Sequence, residues 1–252
     1  MSIFNLDSPL MQKLSLLWDL IVLNVLTLIF CTPVITAGAA ITALYDAAWR
    51  LRTHQGTLLK NYWKAFTSNF KKATLLFIPV LVFGLILGYN VVFMRLNITP
   101  DQENAMIPLI VGLVIWAMMT AWVFPLQSRF ENSWGRTLIN ALLCALRFPG
   151  KTIPMVILNM TPWAVLLLLP EMFLKIGPLW FMAWFALAAY WNVMLMEGPM
   201  RFLTGLSEAA AAAAAENQEE TPAEEPTVPA ELPTPEEVPE EAPEETPEPV
   251  EQ

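Results

Sequence analysis

LSLLWDLIVLNVLTLIFCTPVITAGAAITALYDAAWRLR, residues 14–52, is the stretch whose reading decides the fold. From Leu14 to Cys31 it runs 18 residues whose polar members are Ser15, Asp19, Asn24 and Thr27, close to the ~20 apolar residues that a helix needs to cross ~30 Å of hydrocarbon. Thr32-Pro33 ends that run, because proline has no N–H for a helical bond and biases the residue before it away from the helical region. Val34 to Trp49 then carries the chain back, so the pattern predicts a membrane hairpin. Its second limb is short, and the residues leave open whether 34–49 spans fully or is re-entrant. Ala39, Ala43 and Ala47 recur every fourth residue on it, the small-xxx-small spacing that lets membrane helices approach closely.

Counting outward from the turn places a polar cluster. Asp19 lies 14 residues before Pro33 and Asp46 lies 13 after it, so at ~1.5 Å per residue both fall ~20 Å from the turn, at matching depth on antiparallel limbs. Arg50 follows Asp46 by one helical turn and can reach either carboxylate. Asp19, Asn24, Asp46 and Arg50 are therefore the candidate intramembrane polar cluster, read first as a clasp that fixes the hairpin and second as a solute or proton site. Charged groups inside a membrane are costly and face a bundle interior or a wet cavity.

Several motifs carry a family resemblance: Asn5-Leu6-Asp7-Ser8-Pro9-Leu10-Met11, Leu23-Asn24, Pro33 to Ala40, Thr42-Ala43-Leu44-Tyr45, Phe66 and Asn69 to Thr74. Together they resemble the YesL-like bacterial membrane proteins. The resemblance implies an integral membrane protein of unknown activity, often encoded beside carbohydrate-uptake and carbohydrate-degrading genes. It would make residues 1–206 one transmembrane domain and leave 207–252 outside it.

Composition agrees with the membrane class: 56% of residues are hydrophobic and 15% charged, with a mean hydropathy of +0.49. The net charge of −9 conceals an asymmetry. All 14 Lys and Arg lie at or before Arg201, together with 8 of the 23 acids, whereas the remaining 15 acids fall after Ser207 with no base among them. The tail repeats Glu, Pro, Thr and Ala and cannot bury a core, so it is expected to be an extended, disordered acidic arm on the cytoplasmic side. Seven alanines, Ala209 to Ala215, are expected to prolong the last helix before it.

Between hairpin and tail the pattern predicts an all-α polytopic bundle of about six spans and two interfacial helices. Leu51 to Lys72, with Leu59, Tyr62, Trp63, Phe66 and Phe70 at helical spacing and lysines off that face, reads as the first basic interfacial helix. Ala73 to Met94 is the third span, Ala105 to Gln127 the fourth, Ile153 to Leu169 the fifth and Pro178 to Met196 the sixth. Ser128 to Thr152 reads as the second interfacial helix. The two interfacial stretches align without a gap at an offset of 80 residues: Thr57-Leu58-Leu59 on Thr137-Leu138-Ile139, Ala65 on Ala145, Lys71 on Lys151. That alignment hints at a duplicated unit. Twelve bases fall on one predicted face and two, Arg95 and Lys175, on the other, which by the positive-inside bias puts both termini in the cytoplasm of a multi-pass plasma-membrane protein. A cleaved leader is the rival for the N-terminus; the apolar run is too long for it and contains Asp19.

Catalytic patterns are missing from this sequence. His54 is the only histidine, so neither a metal-binding pair nor a nucleophile, base and orienter set is suggested, and no phosphate-loop motif occurs. The expectation is a protein that is not an enzyme, with no cofactor, no metal and no nucleic-acid partner. Cys31 and Cys144 fall on opposite predicted sides, too far apart for a disulfide. Asn159, Asn192 and Glu197 complete the intramembrane polar set, the two asparagines as bonds between spans five and six. Two function classes follow. One is an accessory or regulatory component linked to carbohydrate uptake or utilisation that binds membrane lipids and another membrane protein, for instance a carbohydrate permease. The other is a small-solute transporter. The first is preferred, because two acids near one face make a sparse pathway.

Overall fold

The computed structural model describes residues 9–97 and 106–219, and all regular structure among them is helical. In chain order the helices are α1 (Pro9–Cys31), α2 (Ala37–Arg52), α3 (Leu58–Asn97), α4 (Met106–Arg129), α5 (Trp134–Arg147), α6 (Pro149–Leu168) and α7 (Pro170–Glu219), with a short 3-10 turn at Val34–Thr36. The chain divides into two units, Met1–Gly205 and Leu206–Gln252. In the second, the alanine run continues α7 to Glu219; the expected acidic arm lies in residues 220–252, outside the described residues.

The helix around which the first unit packs is α2, only 16 residues long. Eleven of the 16 residues of α2 are buried, with α1, α3 and α4 packed against it. Ala39, Ala43 and Ala47 are all enclosed. The closest approach is to α3: a Cβ on Gly38 would sit 2.5 Å from the Ala73 carbonyl oxygen and 2.5 Å from the Phe77 Cβ, so only glycine fits there. Such contact explains why α2 is alanine-rich rather than leucine-rich, since a helix lined by protein does not need to be apolar enough to meet lipid. The hairpin turn is tied down by Thr36, whose hydroxyl donates to the Phe30 and Pro33 carbonyls, and by the Thr74 hydroxyl of α3, which donates to Ile35.

The outer helices show the opposite surface. Leu75, Ile78, Val82, Phe83, Leu85 and Ile86 of α3 are exposed, as are Ile107, Ile110, Val111 and Val114 of α4. Apolar side chains in such number facing outward suit contact with hydrocarbon chains rather than water. Leu10–Cys31, Leu58–Met94 and Met106–Arg129 are long and apolar enough to cross a membrane. Two bent pairs bring the number to as many as five if each is one span: α5 with Pro149–Leu166, bent by 110°, and Pro170–Gly177 with Met182–Ala212, bent by 96°.

Among the described residues three helices, or up to five counting each bent pair, are candidates against the six spans expected, and one expected boundary is absent. Residues 51–72 and 73–94 are not an interfacial helix followed by a separate span: α3 is one continuous helix of 40 residues, about 60 Å long, twice the thickness of the hydrocarbon layer. Its first turns bury Tyr62, Ala65 and Phe66 and expose Lys60, Lys64, Lys71 and Lys72, so the amphipathic pattern is present without a break after it. The second stretch does break: α5 is the amphipathic helix, and the chain turns sharply at Phe148-Pro149 into α6. Tryptophans help to satisfy the bundle's backbone. Pro162 removes the amide that would bond the Leu158 carbonyl, and Trp184 Nε1 donates to that oxygen at 3.2 Å.

Candidate functional site

The ionic side chains gather at one end, where α1 begins, α2 and α4 finish and α3 starts. On α2 the i, i+4 spacing of Asp46 and Arg50 gives the ion pair that it allows: Arg50 Nε donates to Asp46 Oδ2 at 2.7 Å, with Asp46 buried and Arg50 half-exposed. This pair forms part of a polar cleft of about 220 Å³ whose other walls include Lys64, Asn69 and Lys72 of α3 and Gln127 and Arg129 of α4. A second cleft of about 230 Å³ lies beside it and is bordered by Asp19, Arg50, His54 and Asn61. A larger groove of about 1030 Å³ runs along the start of α1, bordered by Lys13, Trp18, Asp19, Arg52 and Tyr190. Lys13, Arg50, Arg52, Lys64, Lys72 and Arg129 thus all reach hollows that share walls, and this end of the bundle is basic.

Each polar group expected inside the membrane has a definite place. Asp19 borders the same cleft as Arg50, but among the described residues it has no hydrogen-bond or ion-pair partner. Asn24 is not part of this cluster. It is fully buried further along α1, where its Oδ1 accepts the Ala186 amide of α7 at 2.9 Å. Asn192 Nδ2 donates both to Asn159 Oδ1 at 2.9 Å and to the Tyr45 hydroxyl at 3.0 Å, joining α2, α6 and α7. Among the described residues Asn192 Oδ1 is buried without a hydrogen-bond partner. Glu197 stands apart from the two asparagines and accepts from Arg52 Nε, so it ties α7 to the end of α2. That bond holds the Arg52 guanidinium above its usual range.

Sequence reading missed the residues contributed from outside the hairpin. Gln127 is buried near the end of α4, donating to Asn69 Oδ1 at 3.5 Å and accepting from the Thr137 hydroxyl at 3.4 Å. Arg129 lies with its guanidinium carbon 4.7 Å from the Trp49 ring centroid, a cation–π contact that positions the charge at the cleft mouth. The only signal in the sequence was a glutamine closing an otherwise apolar run. Among the described residues no three His, Cys, Asp or Glu side chains stand close enough to hold a metal ion, and both cysteines are free. Chemically, the cleft offers hydrogen-bonded amides and hydroxyls beside the positive charges of Arg50, Lys64, Lys72 and Arg129.

Residues 20–91 match the model of a family described as "Protein of unknown function, DUF624". The match takes in the hairpin from Leu20 onward, the Asp46–Arg50 pair and most of α3, well under half of the chain, and leaves Asp19 just outside it. No curated protein and no solved structure matches the chain.

Proposed function

We propose that this protein is a YesL-like accessory or regulatory component of the cell membrane, linked to carbohydrate uptake or utilisation, that works by binding other membrane components. The observation that carries the reading is how the interior polar groups are used. Asn24, Asn159, Asn192 and Tyr45 bond across α1, α2, α6 and α7, which spends them on holding helices together. A transport path would need such groups turned toward a solute. The unpaired charge stands instead at the basic end, where a partner or a lipid can meet it. The carbohydrate setting is supported by the YesL-like motifs alone, and a sugar permease is the partner they suggest. Bases at that end favour a cytoplasmic placement by the positive-inside bias.

A solute transporter is the second reading, and the unpartnered Asn192 Oδ1 favours it, because a buried acceptor without a donor calls for an occupant. Purification from the native membrane in mild detergent discriminates the two. A sugar permease recovered in fixed stoichiometry is the expected result. Solute flux into vesicles that contain this protein alone would overturn the accessory reading and establish the transporter.

A further inference from the structure

The cleft between α2, α3 and α4 carries more positive charge than its own acids neutralise. Four cations border it, Arg50, Lys64, Lys72 and Arg129, against Asp46 and Glu131. Arg50 is committed to Asp46, and Arg129 leans on Trp49 at the carboxyl end of α4, whose partial negative charge it offsets. Among the described residues Lys64, Lys72 and Arg129 form no ion pair. Lys64, Ser68 and Lys72 succeed one another at i, i+4 and i+8, so they stack along one face of α3 and point to the same hollow. The cleft floor is already satisfied: Asn69 Nδ2 bonds the Ala65 carbonyl, and the Ser68 and Ser128 hydroxyls bond Ala65 and Pro125. What remains available is cationic, above a rigid polar floor.

From these observations we infer that this cleft is a binding site for a phosphate-bearing anion, held by Lys64, Lys72 and Arg129. Its volume of about 220 Å³ is below the ~300–1,000 Å³ of sites for drug-sized ligands, which suits one phosphate group and not a sugar chain. Phosphate presents several oxygens to several donors at once, and arginine with lysine is the donor set that recognises it. Asp46 does not repel the ligand, because Arg50 neutralises it within the cleft wall. The phosphate comes either from an anionic lipid headgroup or from free phosphate. The site does not depend on whether the protein is an accessory component or a transporter.

The test uses full-length protein in nanodiscs of phosphatidylcholine with and without phosphatidylglycerol, and native mass spectrometry to count retained lipid. Thermal stability in phosphatidylcholine alone is followed in parallel as inorganic phosphate is added. Two variants of equal charge are compared: Lys64→Gln with Lys72→Gln, and Lys60→Gln with Lys71→Gln, which alters the same helix outside the cleft. All four lysines are exposed, so both variants fold. The cleft variant should lose roughly tenfold or more in phosphatidylglycerol retention and the control less than about twofold. Retention in the parent with no stabilisation by inorganic phosphate assigns the lipid headgroup; stabilisation by inorganic phosphate that the cleft variant alone abolishes assigns the free anion. Equal losses in the two variants, or a parent that neither retains phosphatidylglycerol nor responds to phosphate, would overturn the site.

Discussion

Thr57-Leu58-Leu59 and Thr137-Leu138-Ile139 open two stretches that stay in register at an offset of 80 residues, yet the first continues as one helix to Asn97 while the second turns through 110° after Arg147. The equivalent of Asn69 is Pro149. In α3 the Ala65 carbonyl receives the Asn69 side chain at 3.1 Å with the helix unbroken around it. In the second stretch Pro149 has no amide to give to Ala145. The Thr152 hydroxyl takes over, donating to the Ala145 carbonyl at 3.1 Å while it accepts Trp122 Nε1 at 2.9 Å. Proline alone does not make the corner: Pro79 sits inside α3 between Ile78 and Val80, whereas Pro149 is followed by Gly150 and preceded by Phe148 at φ −122, ψ 57, outside the helical region. Two similar amphipathic patterns thus give a rod and a hinge, and the choice rests on a Pro-Gly pair with a buried threonine behind it.

The change that should break this contrast most severely is Asn69→Pro, which imports the corner's residue into the rod. It removes a helical bond in a segment with no Thr152 equivalent, because the residue at that register is the exposed Lys72. Stability in detergent should fall by about 3 kcal/mol or more, and an unchanged unfolding midpoint would show that α3 tolerates a corner there. Thr152→Val follows. It keeps the shape but leaves the Trp122 N–H and the Ala145 carbonyl unpaired in a fully buried site, at about 2 kcal/mol. The counterpart substitution Lys72→Ala should cost less than ~0.5 kcal/mol; similar losses at both positions would erase the distinction.

Smaller than the loss at Thr152, though larger than that at Lys72, is the effect expected at the end of α2. Carried back before the two stretches, the same offset sets Asp46 of α2 against Leu126 of α4, so an ion pair stands at one position and apolar packing at the other. Asp46→Ala should destabilise by about 1–2 kcal/mol, between a buried pair and a surface one because Arg50 is partly in solvent. The double change Asp46→Ala, Arg50→Ala should recover part of the loss. Strictly additive losses in that cycle would deny the contact any energetic role.

The hairpin was legible because Pro33, the alanine spacing and the i, i+4 pair Asp46 and Arg50 are local signals. Continuity of α3 was less so: a basic amphipathic turn and an apolar run share one helical period, and the change of lining from lysine to leucine at Ala73 looks like a boundary although no Gly or Pro lies between Leu58 and Ile78. The central place of α2 was hidden for another reason. Span reading looks for side chains that suit lipid, and α2 meets protein on nearly every side. Gln127, Arg129 and Lys72 join the cleft only through packing of α3 and α4 on α2, which no spacing within one helix records. Glu197 was legible as a polar group on the last helix, but its partner Arg52 lies 145 residues away and no local spacing points to it.

Spin labels at four exposed positions in a background lacking Cys31 and Cys144 test the rod and hinge most directly: Leu59 with Phe83 on α3, and their register equivalents Ile139 with Trp163 across the α5–α6 corner. Both pairs are 24 residues apart. Pulsed electron–electron distance measurement should give about 36 Å for the first pair, the length of an unbroken helix, and roughly 22 Å for the second, where a 110° turn folds the ends together. Equal distances in the two pairs would contradict the account, because the two stretches would then be the same structure twice.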